Sequence, residues 1–307
     1  MRSLLLLLVG LCLPLFAQAE YSRTYLESHP LQMAKVGKLD IAYRIVAPGP
    51  DKPKAVVIMG LGGSNVAWGD ALISGLANGG YEILLLDNRD TGASTRFDEW
   101  GQPVLWWELL KYQFGFSVNA PYTLNDMGAD IAGLMDVTGY SNAHIIGASM
   151  GGMIAQVVAA QYPEKTRSLI SIMSTTNAPH LPPPTDEAEM NLRNLATGEA
   201  QNEREQTIRD RGFYPESMQR HLMAIFKTGD RSEEVATITA PTLVLHGADD
   251  GLVPPEHGEH TASLIAGSRF LLIEGMAHNM PEDVIPILVS EMTAHMDRAE
   301  GRPVAAR

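Results

Sequence analysis

Short runs of apolar residues recur along the chain, and most of them are apolar throughout instead of alternating with polar residues. Strands that are covered on both faces of a sheet have this pattern. The runs are LDIAYRIV (39–46), AVVIM (55–59), EILLLD (82–87), HIIGA (144–148), SLISIM (168–173), TLVLHG (242–247) and RFLLIEG (269–275). We predict that each run forms a strand.

Helical patterns lie between these runs. They cover residues 68–78, 124–138, 150–162 and 282–296, and Pro281 is placed for the first turn of the last helix. Strands that alternate with helices imply right-handed crossovers and a largely parallel sheet. The pattern therefore predicts an α/β fold with a mostly parallel central sheet flanked by helices.

One long stretch of the chain lacks any strand pattern. Residues 177–236 carry a proline run, LPPP (181–184), which is followed by charged helical sequence. A surface excursion of this length without secondary structure is unusual in a compact domain. We therefore predict a helical cap at 178–235, inserted into a core formed by 20–177 and 236–307.

A second, shorter insertion at 97–122 is rich in aromatic residues and holds three of the four tryptophans. Trp100, Trp106 and Trp107 are candidates for one wall of a substrate pocket, because indole rings supply large apolar surfaces. The alternative is that these rings pack against the cap as part of the core. The sequence leaves both interpretations open.

The first residues have the layout of a secretory signal peptide. Arg2 supplies a positive charge, an apolar stretch follows at 4–16, and small residues precede a cleavage site after Ala19. The apolar stretch is shorter than the roughly 20 residues that a membrane-spanning helix needs. The only cysteine, Cys12, lies inside this peptide, so we expect no disulfide in the mature protein. We predict removal of residues 1–19, a periplasmic or secreted location, and no stable membrane insertion afterwards.

The chain is acidic, with a formal net charge of -13 at pH 7. An excess of negative charge disfavours binding to nucleic acid or to an anionic membrane surface. A small neutral molecule is the more natural partner. The composition does not indicate an oligomeric state.

A serine flanked by glycines stands where a strand pattern changes directly into a helix pattern. The stretch reads HIIGASMGGMIAQ (144–156), with Ser149 at the centre of a Gly-x-Ser-x-Gly sequence. Such glycines leave room for neighbouring backbone, so that the serine adopts a strained turn and its hydroxyl projects beyond the carboxyl edge of the sheet. The alternative is a serine that only caps the helix. The position between strand and helix favours a nucleophile.

A serine needs a base to become nucleophilic, and the base is usually a histidine that is held by a carboxylate. His278 follows the last predicted strand, at the edge of the sheet where Ser149 emerges. The chain order serine, acid, histidine places the acid in the loop HGADDGLVPPEHG, which offers Asp249 and Asp250. We expect one aspartate to face His278 and the other to cap the turn.

Other histidines receive structural assignments. His246 ends a strand and is expected to support the loop behind it, and His144 begins the nucleophile strand at its opposite end. His180, His221 and His295 are assigned to the surfaces of the cap or of helices.

Nearly the whole chain after the leader resembles the α/β-hydrolase superfamily, particularly the bacterial branch that includes aclacinomycin methylesterase. The matching stretches are VVIMGLGGS, LLLDNRDTGAST, IIGASMGGMIAQVV, PTLVLHGADDGLVPPEHG and IEGMAHNMP. The resemblance implies the α/β-hydrolase fold and favours Asp250 as the acid, because the second aspartate of the Gly-x-Asp-Asp loop has that role in relatives. It also implies the backbone N–H of Leu61 as one donor to an oxyanion hole. The second donor is expected from the N–H of Met150, directly after the nucleophile.

Two of the matching stretches carry further expectations. The oxyanion loop begins Met59-Gly60 where the family commonly has His-Gly, which removes a side-chain support but leaves the Leu61 amide in place. In DNRDTGAST (87–95), Arg89 and Asp90 are predicted to pair and to brace the loops around the nucleophile.

Together these residues predict a serine hydrolase that cleaves a carboxylic ester of a small, neutral to moderately hydrophobic molecule through an acyl-enzyme. No metal or organic cofactor is expected, since neither a His-Glu-x-x-His sequence nor a dinucleotide fingerprint is present. Ser149 argues against a dehalogenase or an epoxide hydrolase, whose family members use an aspartate at that position. Carbon–carbon bond hydrolysis, perhydrolysis and acyl transfer keep the serine and stay open. The alternative from another class is a non-catalytic binding protein.

Overall fold

The fold is built on one sheet that lies between two layers of helices. In the computed structural model, residues 22–188, 190 and 202–304 are described. The expected leader peptide and its cleavage after Ala19 lie outside these residues. Within them, no helix is long and apolar enough to cross a membrane.

The described part of the chain forms an eight-stranded sheet with the order β1-β2-β4-β3-β5-β6-β7-β8. The strands are β1 (Gln32–Val36), β2 (Leu39–Val46), β3 (Lys54–Ile58), β4 (Glu82–Leu86), β5 (Ala143–Ala148), β6 (Thr166–Ile172), β7 (Thr242–Gly247) and β8 (Arg269–Ile273). β2 is antiparallel to β1 and to β4, and the remaining pairs are parallel. This arrangement confirms the predicted mostly parallel sheet. β1 was not predicted.

Helices cover both faces of the sheet. Within the described residues, the helices with defined bounds are α1 (Thr24–Glu27), α2 (Asp70–Asn78), α3 (Leu105–Gln113), α4 (Leu124–Thr138), α5 (Met150–Gln161), α6 (Asn202–Asp210), α7 (Pro215–Thr228), α8 (Ser232–Val235), α9 (Glu256–Leu264) and α10 (Ile285–Ala299). α4 and α5 contribute to one apolar cluster, and α2 and α10 contribute to the other. Successive residues Val56 and Val57 of β3 belong to opposite clusters, because neighbouring side chains of a strand point to opposite faces.

The last helix begins later than the sequence predicted. The expected range was 282–296, whereas α10 spans Ile285–Ala299. Pro286 occupies the first turn in place of Pro281, whose carbonyl oxygen accepts a hydrogen bond from the N–H of Val284 at 3.0 Å. Either proline suits a first helical turn, so the local rule did not distinguish between them.

α6, α7 and α8 follow β6 in the chain, within the segment predicted to form the cap. Residues 189 and 191–201 of this segment lie outside the described part of the chain. α7 contacts α3 and α4, and it is preceded by a short bridge between Phe213 and Gly63. The extent of a separate cap stays a prediction.

A buried ion pair fastens α7 to the loop after β4. Arg220 donates to both carboxylate oxygens of Asp90, from Nε at 2.6 Å and from Nη2 at 2.8 Å. Their side chains are only 1% and 0% exposed, and the hydroxyl of Tyr122 donates to the same carboxylate at 2.7 Å. Burial raises the pKa of Asp90, but the hydrogen bonds from Arg220 and Tyr122 outweigh it and leave the pKa below its ordinary value.

The predicted pairing of Arg89 with Asp90 is therefore wrong. Arg89 instead binds Asp130 of α4, with Nε 2.6 Å and Nη2 2.7 Å from the two carboxylate oxygens. Adjacent residues on a tight turn point in different directions, and each finds a partner far away in the sequence. Both pairs brace the loop, but through α4 and α7 and not through each other.

We expect Arg220→Met to lower the free energy of unfolding by about 3–5 kcal/mol, because it leaves the buried Asp90 carboxylate with only a longer ion-pair contact, to Nε of Arg96 at 3.8 Å. Urea unfolding followed by circular dichroism measures the loss. Lys35→Met is the matched control, since Lys35 pairs with Asp40 where both side chains are more than half exposed, and such pairs contribute at most about 1 kcal/mol. Equal losses in the two variants would contradict this account of the buried pair.

Candidate active site

Ser149 stands at a sharp turn between β5 and α5. Its backbone has a φ of 56° and a ψ of -124°, a conformation that is strained for a residue other than glycine. A Cβ at Gly147 would lie 2.1 Å from the carbonyl oxygen of Gly151, and a Cβ at Gly151 would lie 2.0 Å from that of Ile58. Only glycine fits at either position, so the Gly-x-Ser-x-Gly sequence is what allows the strand and the helix to come this close.

Hydrogen bonds with the end of β6 and with the residues directly after it hold the strained turn. The N–H of Ser149 donates to the carbonyl oxygen of Ile172 at 2.9 Å, and the hydroxyl of Ser174 donates to the carbonyl oxygen of Ser149 at 2.8 Å. Ser149 directly precedes α5, whose first N–H groups have no partner inside the helix and favour negative charge nearby. The turn thus aims the serine hydroxyl at a place that favours an anion.

Three side chains predicted from the sequence meet at the carboxyl edge of the sheet. The Oγ of Ser149 lies 2.9 Å from Nε2 of His278, and Nδ1 of the same histidine lies 2.8 Å from Oδ2 of Asp250. Asp250 follows β7 and His278 follows β8, so neighbouring parallel strands deliver both groups to one edge. With a proton on Nδ1 donated to the carboxylate, Nε2 is left to accept the proton of the serine hydroxyl.

The second aspartate of the acid loop is the one that contacts His278. The other oxygen of Asp250, Oδ1, accepts the N–H groups of Leu252 at 3.0 Å and of Val253 at 2.9 Å. Asp250 therefore caps the turn itself as well as contacting His278, so the expected division of these two roles between Asp250 and Asp249 is wrong. Burial raises the pKa of Asp250, but hydrogen bonds from His246, His278 and the Val253 amide outweigh it and hold the pKa well below its usual range.

His246 supports the acid loop, as its sequence position indicates. The side chain is buried, and Nε2 lies 2.7 Å from the carbonyl oxygen of Val253 and 3.5 Å from Oδ2 of Asp250. Because a carbonyl oxygen only accepts hydrogen bonds, Nε2 carries the proton and points it into the loop.

The loop after β3 runs directly against the nucleophile turn. A Cβ at Gly60 would lie 2.9 Å from the Cβ of Ser149 and 3.4 Å from the backbone nitrogen of Met150. The peptide that leads into Leu61 is therefore next to the first residue of α5. The geometry brings together the backbone segments of the two predicted oxyanion donors, Leu61 and Met150.

Side chains from elsewhere in the fold support this loop in the absence of a histidine at position 59. The amide of Asn88 donates to the carbonyl oxygen of Met59 at 2.8 Å. The N–H of Gly62 donates to Nδ1 of His221 at 3.1 Å. Both supporting side chains are buried, and neither was identified from the sequence.

The assignment of His221 and His295 to helix surfaces is wrong, because both are buried. The helical period contains the signal for His221: Ser217, Arg220, His221 and Ala224 are all buried, and their spacing defines one face of a helix. A search for apolar residues alone does not find this face, since three of these four residues are polar. His180 is exposed, as predicted.

The tryptophans do not share one environment. Trp106 and Trp107 lie on α3 and are 68% and 48% exposed, with their rings in a T-shaped arrangement and the ring centroids 5.8 Å apart, whereas Trp100 is half-buried. The interpretation that Trp106 and Trp107 pack into the core is therefore wrong. A role for the three residues in a substrate pocket stays a prediction.

The chain belongs to the alpha/beta hydrolase fold family, whose model matches residues 56–213. It is an enzyme of the hydrolase type, as are its relatives among the methylesterases and carbamate hydrolases. In the part of the chain that the structure describes, no group of three or more histidine, cysteine, aspartate or glutamate side chains is arranged to hold a metal ion.

The similar curated proteins are hydrolases that act on different bonds. The chain is 25% identical over 295 residues to rhodomycin D methylesterase DauP from Streptomyces sp. (strain C5), covering 80% of this chain and 93% of that protein. It is 27% identical over 241 residues to the putative carbamate hydrolase RutD from Caulobacter sp. (strain K31), covering 71% and 81%. Both comparisons are consistent with a hydrolase that cleaves esters.

Solved structures share the fold at lower identity. The enol-lactonase from Burkholderia xenovorans LB400 superposes with a TM-score of 0.66 at 20% identity, covering 86% of this chain and 99% of that one. A thermophilic esterase from Thermogutta terrifontis superposes with a TM-score of 0.65 at 20% identity, covering 88% and 99%. These likenesses confirm the predicted fold.

Proposed function

We propose that this hydrolase cleaves its ester through Ser149 as nucleophile, His278 as general base and acid, and Asp250 as the group that orients His278. The observation that carries the proposal is the continuous line of hydrogen bonds from the Ser149 hydroxyl through His278 to Asp250, at 2.9 and 2.8 Å. The strained backbone of Ser149 holds the hydroxyl at one end of this line. Geometry of this kind defines a triad independently of the order of residues in a chain.

In the first half of the reaction, Oγ of Ser149 attacks the carbonyl carbon of the ester while its proton moves to Nε2 of His278. The carbonyl oxygen becomes an oxyanion, which accepts hydrogen bonds from the N–H groups of Leu61 and Met150. The bond to the alkoxy oxygen then breaks, and His278 gives its proton to the departing alcohol. The acyl group stays on Ser149.

In the second half, His278 takes a proton from water, and the water oxygen attacks the acyl carbonyl carbon. The bond to Oγ of Ser149 breaks, the serine regains its proton from His278, and the acid leaves. Asp250 stays ionised throughout, which its low pKa favours, and it stabilises the imidazolium that forms in each half.

The proposed substrate is a carboxylic ester of a small, neutral to moderately hydrophobic molecule. The negative net charge of the chain repels anionic molecules. Met150 is buried in an apolar cluster against which Leu61 packs, and buried Met218 packs against the same loop at Gly62.

Release of p-nitrophenol by the purified protein tests the function. We expect turnover of the acetate, butyrate and octanoate esters, and a kcat/KM for p-nitrophenyl butyrate about 10-fold above that for p-nitrophenyl hemisuccinate, whose acyl chain has a similar length but carries a carboxylate. A preference for the hemisuccinate would contradict the proposed substrate class. No turnover of any ester by folded protein would contradict ester cleavage itself.

A carbamate is the second candidate substrate, because the Caulobacter relative is described as a putative carbamate hydrolase. The same nucleophile and oxyanion donors serve both reactions, but a carbamate carries nitrogen on the carbonyl carbon. Comparing the kcat/KM for p-nitrophenyl butyrate with that for p-nitrophenyl N-methylcarbamate distinguishes the two, and we expect the ester to be the better substrate.

A further inference from the structure

A buried histidine of α7 touches the loop that carries one of the proposed oxyanion donors. His221 has no exposed surface. Its Nδ1 lies 3.1 Å from the backbone nitrogen of Gly62, and its Nε2 lies 3.1 Å from the carbonyl oxygen of Arg89. The imidazole ring thus connects the oxyanion loop after β3 to the loop after β4.

The two partners fix the protonation state of this ring. The N–H of Gly62 can only donate, so Nδ1 must be without a proton, and the carbonyl oxygen of Arg89 can only accept, so Nε2 must carry one. Burial lowers the pKa of His221 to about 4, although the Arg89 carbonyl and the Asp90 carboxylate act in the opposite direction. At neutral pH the ring is therefore a neutral acceptor toward Gly62 and a donor toward Arg89.

The contact lies at the middle peptide of a tight turn. The N–H of Gly63 donates to the carbonyl oxygen of Gly60 at 3.0 Å, and Gly62 has a φ of 65°, which is the pattern of a type II turn. Types I and II differ mainly in a flip of the peptide between the two central residues, here Leu61 and Gly62. The bond to His221 specifies which way the N–H of that peptide points.

Gly62 is held on both sides by the same part of the chain. Its N–H donates to His221, and its carbonyl oxygen accepts the N–H of Tyr214 at 2.8 Å. Tyr214 precedes the first turn of α7, and His221 lies about two turns further on. A flip of the middle peptide would break the bond to His221, and movement of α7 would break both bonds.

We propose that His221 is a positioning residue for the oxyanion hole, and that α7 is a fixed part of the active site. The Leu61 N–H belongs to the preceding peptide, between Gly60 and Leu61, so His221 acts on it through the turn: by holding the Leu61–Gly62 peptide, it fixes the turn conformation that presents the Leu61 N–H to the oxyanion. It does not touch the substrate. The proposal rests on the proposed function, in which the Leu61 amide is one of the two donors.

The residue next to His221 in the sequence explains how α7 stays in register with the loop. Arg220 is bound to Asp90 by two hydrogen bonds, and it also donates to Asp98 at 2.8 Å. Arg220 therefore holds α7 against the loop after β4, and His221, one residue further along the same helix, holds the Leu61–Gly62 peptide.

Two substitutions of His221 separate its two hydrogen bonds. In His221→Asn the side-chain oxygen lies as many bonds from Cα as Nδ1 does, so it can accept the N–H of Gly62 while the bond to Arg89 is lost. In His221→Gln the terminal amide reaches the Nε2 position and donates to Arg89, but the acceptor at the Nδ1 position is lost. Both variants carry a polar amide, and they differ in which of the two hydrogen bonds of His221 they keep.

We expect His221→Gln to lower the kcat for p-nitrophenyl butyrate about 10- to 100-fold. This loss is smaller than the loss expected when an oxyanion donor is removed altogether. The KM should change less than about 3-fold, because the lost interaction is made in the transition state. His221→Asn should keep a kcat within about 3-fold of the wild-type value, at a melting temperature similar to that of His221→Gln.

Equal kcat values in the two variants at equal melting temperatures would overturn the proposal, as would a larger loss in His221→Asn. If His221→Gln does not fold, a wild-type kcat in His221→Asn supports the proposal, and a loss of more than about 10-fold at an unchanged melting temperature overturns it. Ser149→Ala is assayed alongside. Substantial activity in that variant contradicts the proposed function and not the positioning role.

The unmodified protein offers a second measurement. The ¹⁵N chemical shifts of the His221 ring at neutral pH distinguish a bare nitrogen from a protonated one. We expect a bare Nδ1 and a protonated Nε2. Protonation of Nδ1 would exclude the hydrogen bond from Gly62 and with it the proposal.

Discussion

Replacing Ser149 with alanine is expected to lower the kcat for p-nitrophenyl butyrate by about 10⁵- to 10⁶-fold, because the covalent route through the acyl-enzyme is lost. The oxyanion donors and the binding surface remain, so a small rate above that of water is expected to persist. Steady-state kinetics on folded wild-type protein and on the variant measure the ratio.

Alanine at position 149 also relieves none of the backbone strain, since its φ of 56° is unfavourable for any residue with a Cβ. The melting temperature should therefore stay close to that of the wild type, and a kinetic loss is attributable to the hydroxyl. A variant that folds and retains more than about a tenth of the wild-type kcat would contradict the assignment of Ser149 as nucleophile.

Replacing Asp250 with asparagine is expected to lower the kcat by about 10⁴-fold with little change in geometry. Oδ1 of Asp250 accepts the N–H groups of Leu252 and Val253, so the amide oxygen of asparagine is expected to occupy that position. The NH₂ group then faces Nδ1 of His278, which must accept from it and shift its proton to Nε2. A protonated Nε2 cannot accept the proton of Ser149.

Asp249→Asn provides the matched control, because it makes the same chemical change one residue earlier on an exposed side chain. We expect its kcat to stay within about 2-fold of the wild-type value, as for a surface group without a role in the transition state. The reverse order, with Asp249→Asn the more damaging change, would exclude Asp250 as the orienting acid.

Local patterns in the sequence predicted most of the sheet. β2 (Leu39–Val46) and β7 (Thr242–Gly247) have the predicted bounds. β1 (Gln32–Val36) was missed. Its sequence QMAKV is short, and only Ala34 is buried, so its formation depends on pairing with β2 and not on apolar content.

The main groups of the candidate site were identified because each follows a recognisable strand. Ser149 follows β5, and Asp250 and His278 follow β7 and β8. Parallel strands bring such loops to one edge of a sheet, which makes their proximity predictable without coordinates. The choice between Asp249 and Asp250 came from the family resemblance.

Supporting residues were missed because their partners are distant in the sequence. His221 lies 159 residues from Gly62, and Arg220 lies 130 residues from Asp90. A local sequence pattern does not predict contacts between residues so far apart in the chain, and a polar residue on a helix is normally assigned to the surface. The false pairing of Arg89 with Asp90 arose in the same way, from preferring a neighbour over a distant partner.

The most direct test of the account is to locate the residue that a fluorophosphonate modifies. The purified protein is treated with the reagent, digested, and mapped by mass spectrometry, with Ser149→Ala treated in parallel. We expect one adduct per chain, on the peptide that contains Ser149, and none in the variant. An adduct on a different residue, or no adduct on folded and ester-cleaving protein, would contradict Ser149 as the nucleophile.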